Sequence, residues 1–514
     1  MRWTQPRGTA VALLSLHDLE NNAVRQLAAG LRRRGRRVLE IYFKDWRNNK
    51  LEPPSMMEFA QLLKVLRDHD VAMVGISLRA SAYQSVAASV SAHIRNKLHL
   101  PVVLGGWHVT VRPEDCIGIA DALVLGEADT TFPEFVRRFF SGDDPQRMRA
   151  SPGTWIRFAD GSVSKTAPAP LVTDLDGLAW RDYESADKVV IDKGVLRWGD
   201  PMASDPLYQV MTSIGCIQKC SFCHNSFDTG AEGPSLRVRS ASSVLDELAA
   251  RREANPHIRR VRFDDEIFGL DRRWLREFAR RYPQEVGLPF DLLTEPTAVA
   301  EEYADLLKAA GAHVVHMGVQ STEAVNRAQL ERRANRDTTR LAVERLTSRG
   351  MRIRYLVMVD IPEVTDEQKA ELFEFLQDVP RPFDLYLFSL TWFPGTKMVE
   401  DLLQDGTLTP EQVEGRATKT FYQYRADLGW PRPPEDVYWL SMMVLQASGL
   451  VPRQLLGPLA ERRLGRSHPD LLRKAATLAT LYKTARVAGS MVRNGELTGT
   501  LVRRWWNPQR LITM

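Results

Sequence analysis

Only four cysteines occur in 514 residues, and three of them lie between positions 216 and 223. That scarcity excludes a disulfide framework, and the clustering points to a metal site in a reducing cytoplasm. Long apolar runs are also missing. A membrane span needs about 18 consecutive apolar residues. The longest candidate, 438–451, is interrupted by Ser441, Gln446, Ser448 and Gly449. The apolar stretch 10–16 is too short for a secretory signal and carries no cleavage signature. Charge of one sign is in small excess, with 69 Lys and Arg against 64 Asp and Glu and a net charge of +5. The densest basic run, Arg32-Arg33-Arg34-Gly35-Arg36-Arg37, stands where a helix should end, and cations favour that end of the helix dipole. No aromatic residues interleave with it as they do on nucleic-acid surfaces, so no nucleic-acid partner is expected.

What is present is an apolar fraction of 44%, enough for a large core and too much for a disordered chain. A β/α alternation appears twice. In the first part, apolar runs at 10–15, 38–42, 71–77, 102–104 and 122–125 read as strands, with helical patterns at 22–34, 56–68 and 81–96. The runs are continuous rather than alternating, as in a parallel sheet covered on both faces. This predicts a doubly wound, Rossmann-like domain over residues 1–141. Residues 142–200, with a hairpin at 155–165 and a proline-rich segment, are expected to be a linker. Residues 201–400 hold six further strand runs, at 207–213, 260–263, 290–293, 313–319, 352–359 and 384–390, separated by helical patterns. Six units suit an open, partial (β/α)6 barrel, whose chemistry belongs at the C-terminal ends of the strands. Residues 401–514 are expected to form a helical C-terminal domain. Its aromatic clusters, Phe421-Tyr422-Tyr424 and Trp505-Trp506, suit core packing.

The segment Cys216-Ile-Gln-Lys-Cys220-Ser-Phe-Cys223-His-Asn follows a strand directly, with Gly215 at the turn. Three thiolates at this spacing can hold three irons of a cubane cluster and leave the fourth iron open, because the remaining Cys116 is about a hundred residues upstream. The alternative is a structural zinc site, but zinc wants four ligands, and His224 adjoins Cys223 too closely to complete the set well.

The C-x3-C-x2-C pattern, with Phe222 before its last cysteine, resembles the radical S-adenosylmethionine superfamily. The resemblance implies that Cys216, Cys220 and Cys223 ligate a 4Fe–4S cluster. It also implies that S-adenosylmethionine binds the open iron and is cleaved to a 5′-deoxyadenosyl radical, with a donor such as flavodoxin or ferredoxin supplying the electron. At the end of the second strand, Asp264 and Asp265 stand where the superfamily contacts the methionyl amine. Their Asp-Asp replaces the usual Gly-Gly-Glu and resembles the cobalamin-dependent branch. Gln320 ends the fourth strand, where the family commonly has a Glu on the ribose hydroxyls.

In the first domain, Ser77 and Ser81 are followed by Gly105-Gly106-Trp107-His108 and then by Gly126-Glu127. Glycines straight after buried strands let a ligand approach the backbone. Alone, this pattern also suits a nucleotide-binding or vestigial doubly wound domain. The whole order resembles the cobalamin-binding domain fused to radical S-adenosylmethionine enzymes. That resemblance implies that Ser77, Ser81, Gly105, Gly106, Gly126 and Glu127 line a corrinoid site. Many such domains carry Asp-x-His-x-x-Gly, whose His binds cobalt. Here His17 falls in register but the Asp and Gly are missing, so the corrinoid is expected to be held without it. The implied activity is methyl transfer from methylcobalamin to a carbon radical of a small-molecule or natural-product substrate. The alternatives are a cyclase or ring-rearranging enzyme with the same cofactors, and a non-catalytic corrinoid- or metal-binding protein.

Overall fold

The computed structural model describes residues 7–45, 53–142, 148–149, 151–183, 186–417 and 432–493. The chain forms two compact units. The first holds the described residues up to Ala203, with Phe227–Arg237 and 392–417; the second holds Ser204–Ser226, Val238–Thr391 and 432–493. Each is described by itself.

Unit 1 is built on nine strands. These are β1 (Ala10–Leu16), β2 (Arg37–Phe43), β3 (Val71–Ser77), β4 (Val102–Gly105), β5 (Ala122–Val124), β6 (Thr154–Arg157), β7 (Val163–Lys165), β8 (Lys188–Asp192) and β9 (Val195–Trp198). They form one sheet in the order β7-β6-β5-β4-β3-β1-β2-β8-β9. The five central strands are parallel, and the order reverses between β1 and β3. This is the doubly wound arrangement, in which ligands bind at the C-terminal ends of the strands beside the reversal. Along β1, Ala10, Ala12, Leu14 and Leu16 join one apolar cluster, while Val11 and Leu13 join the other. Both faces of the sheet are therefore covered, which is why its strands read as continuous apolar runs.

The stretch 142–200 is not a linker. The hairpin β6-β7 pairs antiparallel with β5, and β8 pairs parallel with β2. Buried charges anchor this extension. Arg25 binds Asp200 at 2.5 Å, and Lys188 binds Asp200 at 2.8 Å. Arg32 meets both Glu40 and Asp182. Arg25 is fully buried, and Tyr42 and Tyr183 lie against its guanidinium. These partners lie 150 or more residues apart for the Arg25–Asp200 and Arg32–Asp182 pairs, so local composition gives no sign of them.

Unit 2 is a six-stranded parallel sheet: β10 (Leu207–Val210), β11 (Arg260–Phe263), β12 (Phe290–Thr294), β13 (Ala312–Gln320), β14 (Arg352–Val359) and β15 (Asp384–Ser389). The strands neighbour one another in chain order. That is the order of a barrel fraction, and the first and last strands do not pair among the described residues. Intervening helices start at side-chain caps: Asp271 accepts from Arg273 and Trp274, and Asn335 and Thr365 each complete a capping box. Helices Pro434–Ser448, Arg453–Glu461 and Pro469–Arg493 belong to this same unit, while 392–417 belong to unit 1. The expected separate domain over 401–514 is therefore not formed. Helix Pro434–Ser448 packs on helix Asp366–Asp378 through buried residues such as Trp439 and Phe373, which a boundary drawn from composition cannot foresee. The aromatics Phe421, Tyr422, Tyr424, Trp505 and Trp506 lie outside the described residues.

Candidate cofactor sites

Beyond β10, a short strand, Ser213–Gly215, delivers the chain to the cysteine loop. Gly215 has φ +91°, a conformation that a residue with a Cβ rarely adopts, so the turn into Cys216 is one that glycine favours. The loop is tied down from within and from outside. The Cys223 N–H donates to the Cys220 carbonyl at 3.1 Å, the Ser221 N–H to Leu330, and the Ser221 hydroxyl to the Gln329 carbonyl. All three thiols are free; Cys220 is buried and the other two are half-buried. Two N–H groups already point at sulfur. The Gln218 N–H donates to Cys216 Sγ at 3.4 Å, and Arg332 Nη1 donates to Cys220 Sγ at 3.5 Å. Such bonds suit thiolates of an iron–sulfur cluster and tune it. Burial raises the Cys216 thiol, against the Gln218 N–H, and raises Cys223 to about 12, with Glu266 adding to both shifts. The loop is held in its shape and becomes charged when a metal takes the protons' place. Among the described residues no three acidic, His or Cys side chains converge on a single ion. Cysteines of a cubane each bind a different iron, so such convergence is not what that site requires. The residues present fit a 4Fe–4S cluster better than one zinc ion.

Around the loop, the expected residues take different parts. Phe222 is half-buried beside Cys223. Asp264 is bound by Arg262 Nε at 2.6 Å. Asp265 is fully buried, and burial raises its carboxyl. It accepts from the Thr212 N–H, from the Thr212 hydroxyl at 2.6 Å, and from the Ser213 hydroxyl. Its oxygens are thus taken by the segment that leads into Cys216. Gln320 ends β13 with φ +65°, is buried, and its Oε1 has no hydrogen-bond partner. A buried acceptor without a donor is costly unless a ligand satisfies it. Two residues escape the sequence reading. Glu295, just past β12, receives Gln218 Nε2 at 3.3 Å and lies 3.7 Å from Arg332. Arg332 sits in a loop between helices, where no periodicity marks it; only proximity to Cys220 reveals it.

At the ends of β13 and β14, an open pocket is lined by Ser321, Met358, Asp360, Leu372, Trp439 and Met443, among others. Its charged groups are compensated inside unit 2. Asp360 is held by Arg432 at 2.8 Å, and Lys369 by Asp436 at 2.6 Å.

In unit 1 the expected residues gather at the ends of β1, β3, β4 and β5. Asn21 Nδ2 donates to the hydroxyls of Ser15 and Ser77, at 3.0 and 3.2 Å. Ser81 Oγ lies 2.8 Å from His108 Nδ1. Gly106 has φ +111°, and a Cβ there would stand 2.8 Å from the Leu78 carbonyl oxygen. Gly105 is different: a Cβ would meet only ordinary contacts, the nearest at 3.5 Å. Gly126, at φ +68°, faces open space. Glu127 is engaged by Arg237, at 2.5 and 2.7 Å, and by the Val172 N–H. Its carboxylate holds unit 1 together and has little left for a ligand. His17 has φ +53°, is 1% exposed, and stacks on Tyr83 with ring centroids 5.6 Å apart. Burial pushes its imidazole down to about 4, helped by Lys44, and neither ring nitrogen has a partner. The open backbone at Gly105 and Gly126, beside half-buried Ser77, fits a cobalamin tail.

The comparisons agree with this division. Residues 8–136 match the family model of the B12 binding domain, and residues 210–376 match that of the radical SAM superfamily. The pair of domains defines a class of enzyme that uses a 4Fe–4S cluster, S-adenosylmethionine and cobalamin. The chain belongs to the cobalamin-dependent radical S-adenosylmethionine enzymes. It is 25% identical over 361 residues to an uncharacterized methyltransferase of Pyrococcus horikoshii, covering 68% of this chain and 74% of that protein. It is also 25% identical over 376 residues to bacteriochlorophyllide d C-8(2)-methyltransferase of Chlorobaculum tepidum, covering 68% and 72%. Its fold is similar to that of the radical S-adenosylmethionine methyltransferase TsrM from Kitasatospora setae, with cobalamin and a [4Fe-4S] cluster bound. The TM-score is 0.62 at 17% identity, over 92% of this chain and 99% of that one.

Proposed function

We propose that the enzyme moves a methyl group from methylcobalamin to a carbon of a small substrate. The observation that carries this reading is the joining of the two cofactor domains in one chain whose relatives, matched over 68% of it, are named methyltransferases. When bound, the cluster supplies the electron that cleaves S-adenosylmethionine and the corrinoid supplies the methyl group.

The chain's own residues would hold and orient these groups. Cys216, Cys220 and Cys223 bind iron, and Arg332 and the Gln218 N–H donate to two of the sulfurs. Gln320 Oε1 is free to accept from a ribose hydroxyl. Asp265 positions the cysteine loop through Thr212 and Ser213. Gly105, Gly126 and Ser77 receive the corrinoid, with Gly106 fixing the turn. The pocket at the ends of β13 and β14 would take the methyl acceptor. Its charged groups are paired, Lys369 with Asp436 inside the lining and Asp360 with Arg432 behind it, and most of its wall is apolar, which favours an electrically neutral, largely apolar acceptor. A flavodoxin- or ferredoxin-like protein would deliver the electron, and the setting is the cytoplasm, where thiols stay reduced.

Anaerobic reconstitution with iron, sulfide and cobalamin, followed by reduction, tests this reading. Methyl transfer yields S-adenosylhomocysteine as well as 5′-deoxyadenosine. Formation of 5′-deoxyadenosine without S-adenosylhomocysteine would replace it with cyclisation or rearrangement.

A further inference from the structure

Helix Pro469–Arg493 is the longest helix among the described residues, with 25 residues or about 37 Å. One side of it packs into unit 2. Ala476, Ala479 and Thr484 are buried, and Lys483 reaches Asp384 at 2.8 Å and the Phe383 carbonyl at 2.7 Å. The other side carries Leu471, Ala475, Leu478, Tyr482 and Ala485, spaced by threes and fours, and Val492 two turns further on, all exposed. Leu478 is 67% exposed, Leu471 64% and Val492 58%. Steps of three and four place them on one stripe of the helix surface. A single exposed leucine needs no explanation, but a stripe along some six turns does.

The charge pattern says what covers it. Helix Pro469–Arg493 contains Arg473, Lys474, Lys483, Arg486 and Arg493 against a single acid, Asp470, which Arg473 binds at 2.9 Å. Lys474 and Arg486 are exposed and, by their helical positions, flank the apolar stripe on opposite sides. A second copy of this helix would bring Lys474 and Arg486 against one another, with Asp470, already bound to Arg473, as the one acid on the helix to relieve them, whereas helix pairs normally set opposite charges at their flanks. A nucleic acid would use the cations and leave the leucines in water. An apolar stripe bordered by cations suits an anionic bilayer surface, in which the leucines enter the acyl boundary and the cations meet the head groups. No described helix is long and apolar enough to cross a membrane, so this contact lies in the plane of the surface.

We propose that helix Pro469–Arg493 docks the enzyme on an anionic lipid surface. The inference does not depend on the methyl-transfer reading. The full-length holoenzyme is sedimented with phosphatidylcholine vesicles, with and without phosphatidylglycerol. Cosedimentation is expected only with phosphatidylglycerol and should fall as salt rises. The double variant Leu478→Glu/Tyr482→Glu should bind at least about tenfold more weakly, and Lys474→Glu/Arg486→Glu should lose the preference for anionic lipid. All four positions are exposed; unchanged iron content and circular dichroism confirm that the variants fold. Four results would overturn the proposal: no vesicle binding by the full chain, binding that is indifferent to phosphatidylglycerol, binding retained by both variants, or self-association without lipid binding that Leu478→Glu/Tyr482→Glu abolishes. The last would assign the stripe to a second copy.

Discussion

Arg332 Nη1 donates to Cys220 Sγ across 3.5 Å, from a loop more than a hundred residues further along the chain. A cation at this distance stabilises the more negative, reduced state of a cluster bound through that sulfur. Arg332→Met should therefore leave the iron content near normal and lower the reduction potential by on the order of tens of millivolts. Arg332→Lys should recover part of the shift. A potentiometric titration followed by electron paramagnetic resonance decides it, and an unchanged potential in Arg332→Met would remove Arg332 from the site.

Asp265 presents a second contrast. Its carboxylate is spent on Thr212 and Ser213, so Asp265→Ala strands three buried donors. The expected cost to unit 2 is about 2–3 kcal/mol, accompanied by reduced cluster content. If Asp265 instead held the methionyl amine, cluster content would survive and affinity for S-adenosylmethionine would collapse. Iron assays and equilibrium binding on the same protein separate the two.

Gly105 is the informative glycine of unit 1. Gly106 cannot accept a side chain without strain against Leu78, so its replacement would report on folding as much as on binding. A Cβ at Gly105 meets only ordinary contacts. Gly105→Val should keep the fold and the 4Fe–4S signal while cobalamin stoichiometry falls severalfold. Undiminished corrin absorbance would place the corrinoid elsewhere.

His17 should not bind cobalt, because its ring is enclosed and stacked on Tyr83. The electron paramagnetic spectrum of bound cob(II)alamin should show no nitrogen splitting from His17, and His17→Ala should leave it unchanged. The same burial has a consequence for pH. The folded imidazole titrates near 4, below its unfolded value of 6.5, so the stability it contributes is complete above about pH 6.5 and is lost as pH falls toward 4. The loss amounts to about 3 kcal/mol at most, and His17→Gln should flatten the unfolding free energy of unit 1 over that interval. An equal slope in both proteins would contradict it.

Much of this was legible in the sequence. The continuous apolar runs of β1 to β5 state the doubly wound core, since strands covered on both faces need apolar side chains on both. The cysteine spacing states the cluster. Long-range ion pairs were not legible. Nothing near Lys188 or Asp200 reveals that Arg25 awaits them, so β8 and β9 read as linker. Likewise Glu127 reads as a strand-end ligand group until Arg237 is seen to occupy it, and Arg332 has no motif of its own. Partners are set by tertiary contact, and strands by local pattern.

The central claim is that the two units together move a methyl group, and the fate of that group tests it most directly. Reconstituted enzyme is reduced in the presence of S-adenosylmethionine labelled on its methyl carbon and a small-molecule extract, and the products are analysed by mass. The account predicts label first on the corrinoid bound to unit 1 and then on a carbon of one neutral, largely apolar compound, with the labelled product lost in both Cys220→Ala and Gly105→Val and the corrinoid label lost in Gly105→Val. Consumption of S-adenosylmethionine with its labelled methyl retained in methionine, and no labelled product, would contradict it.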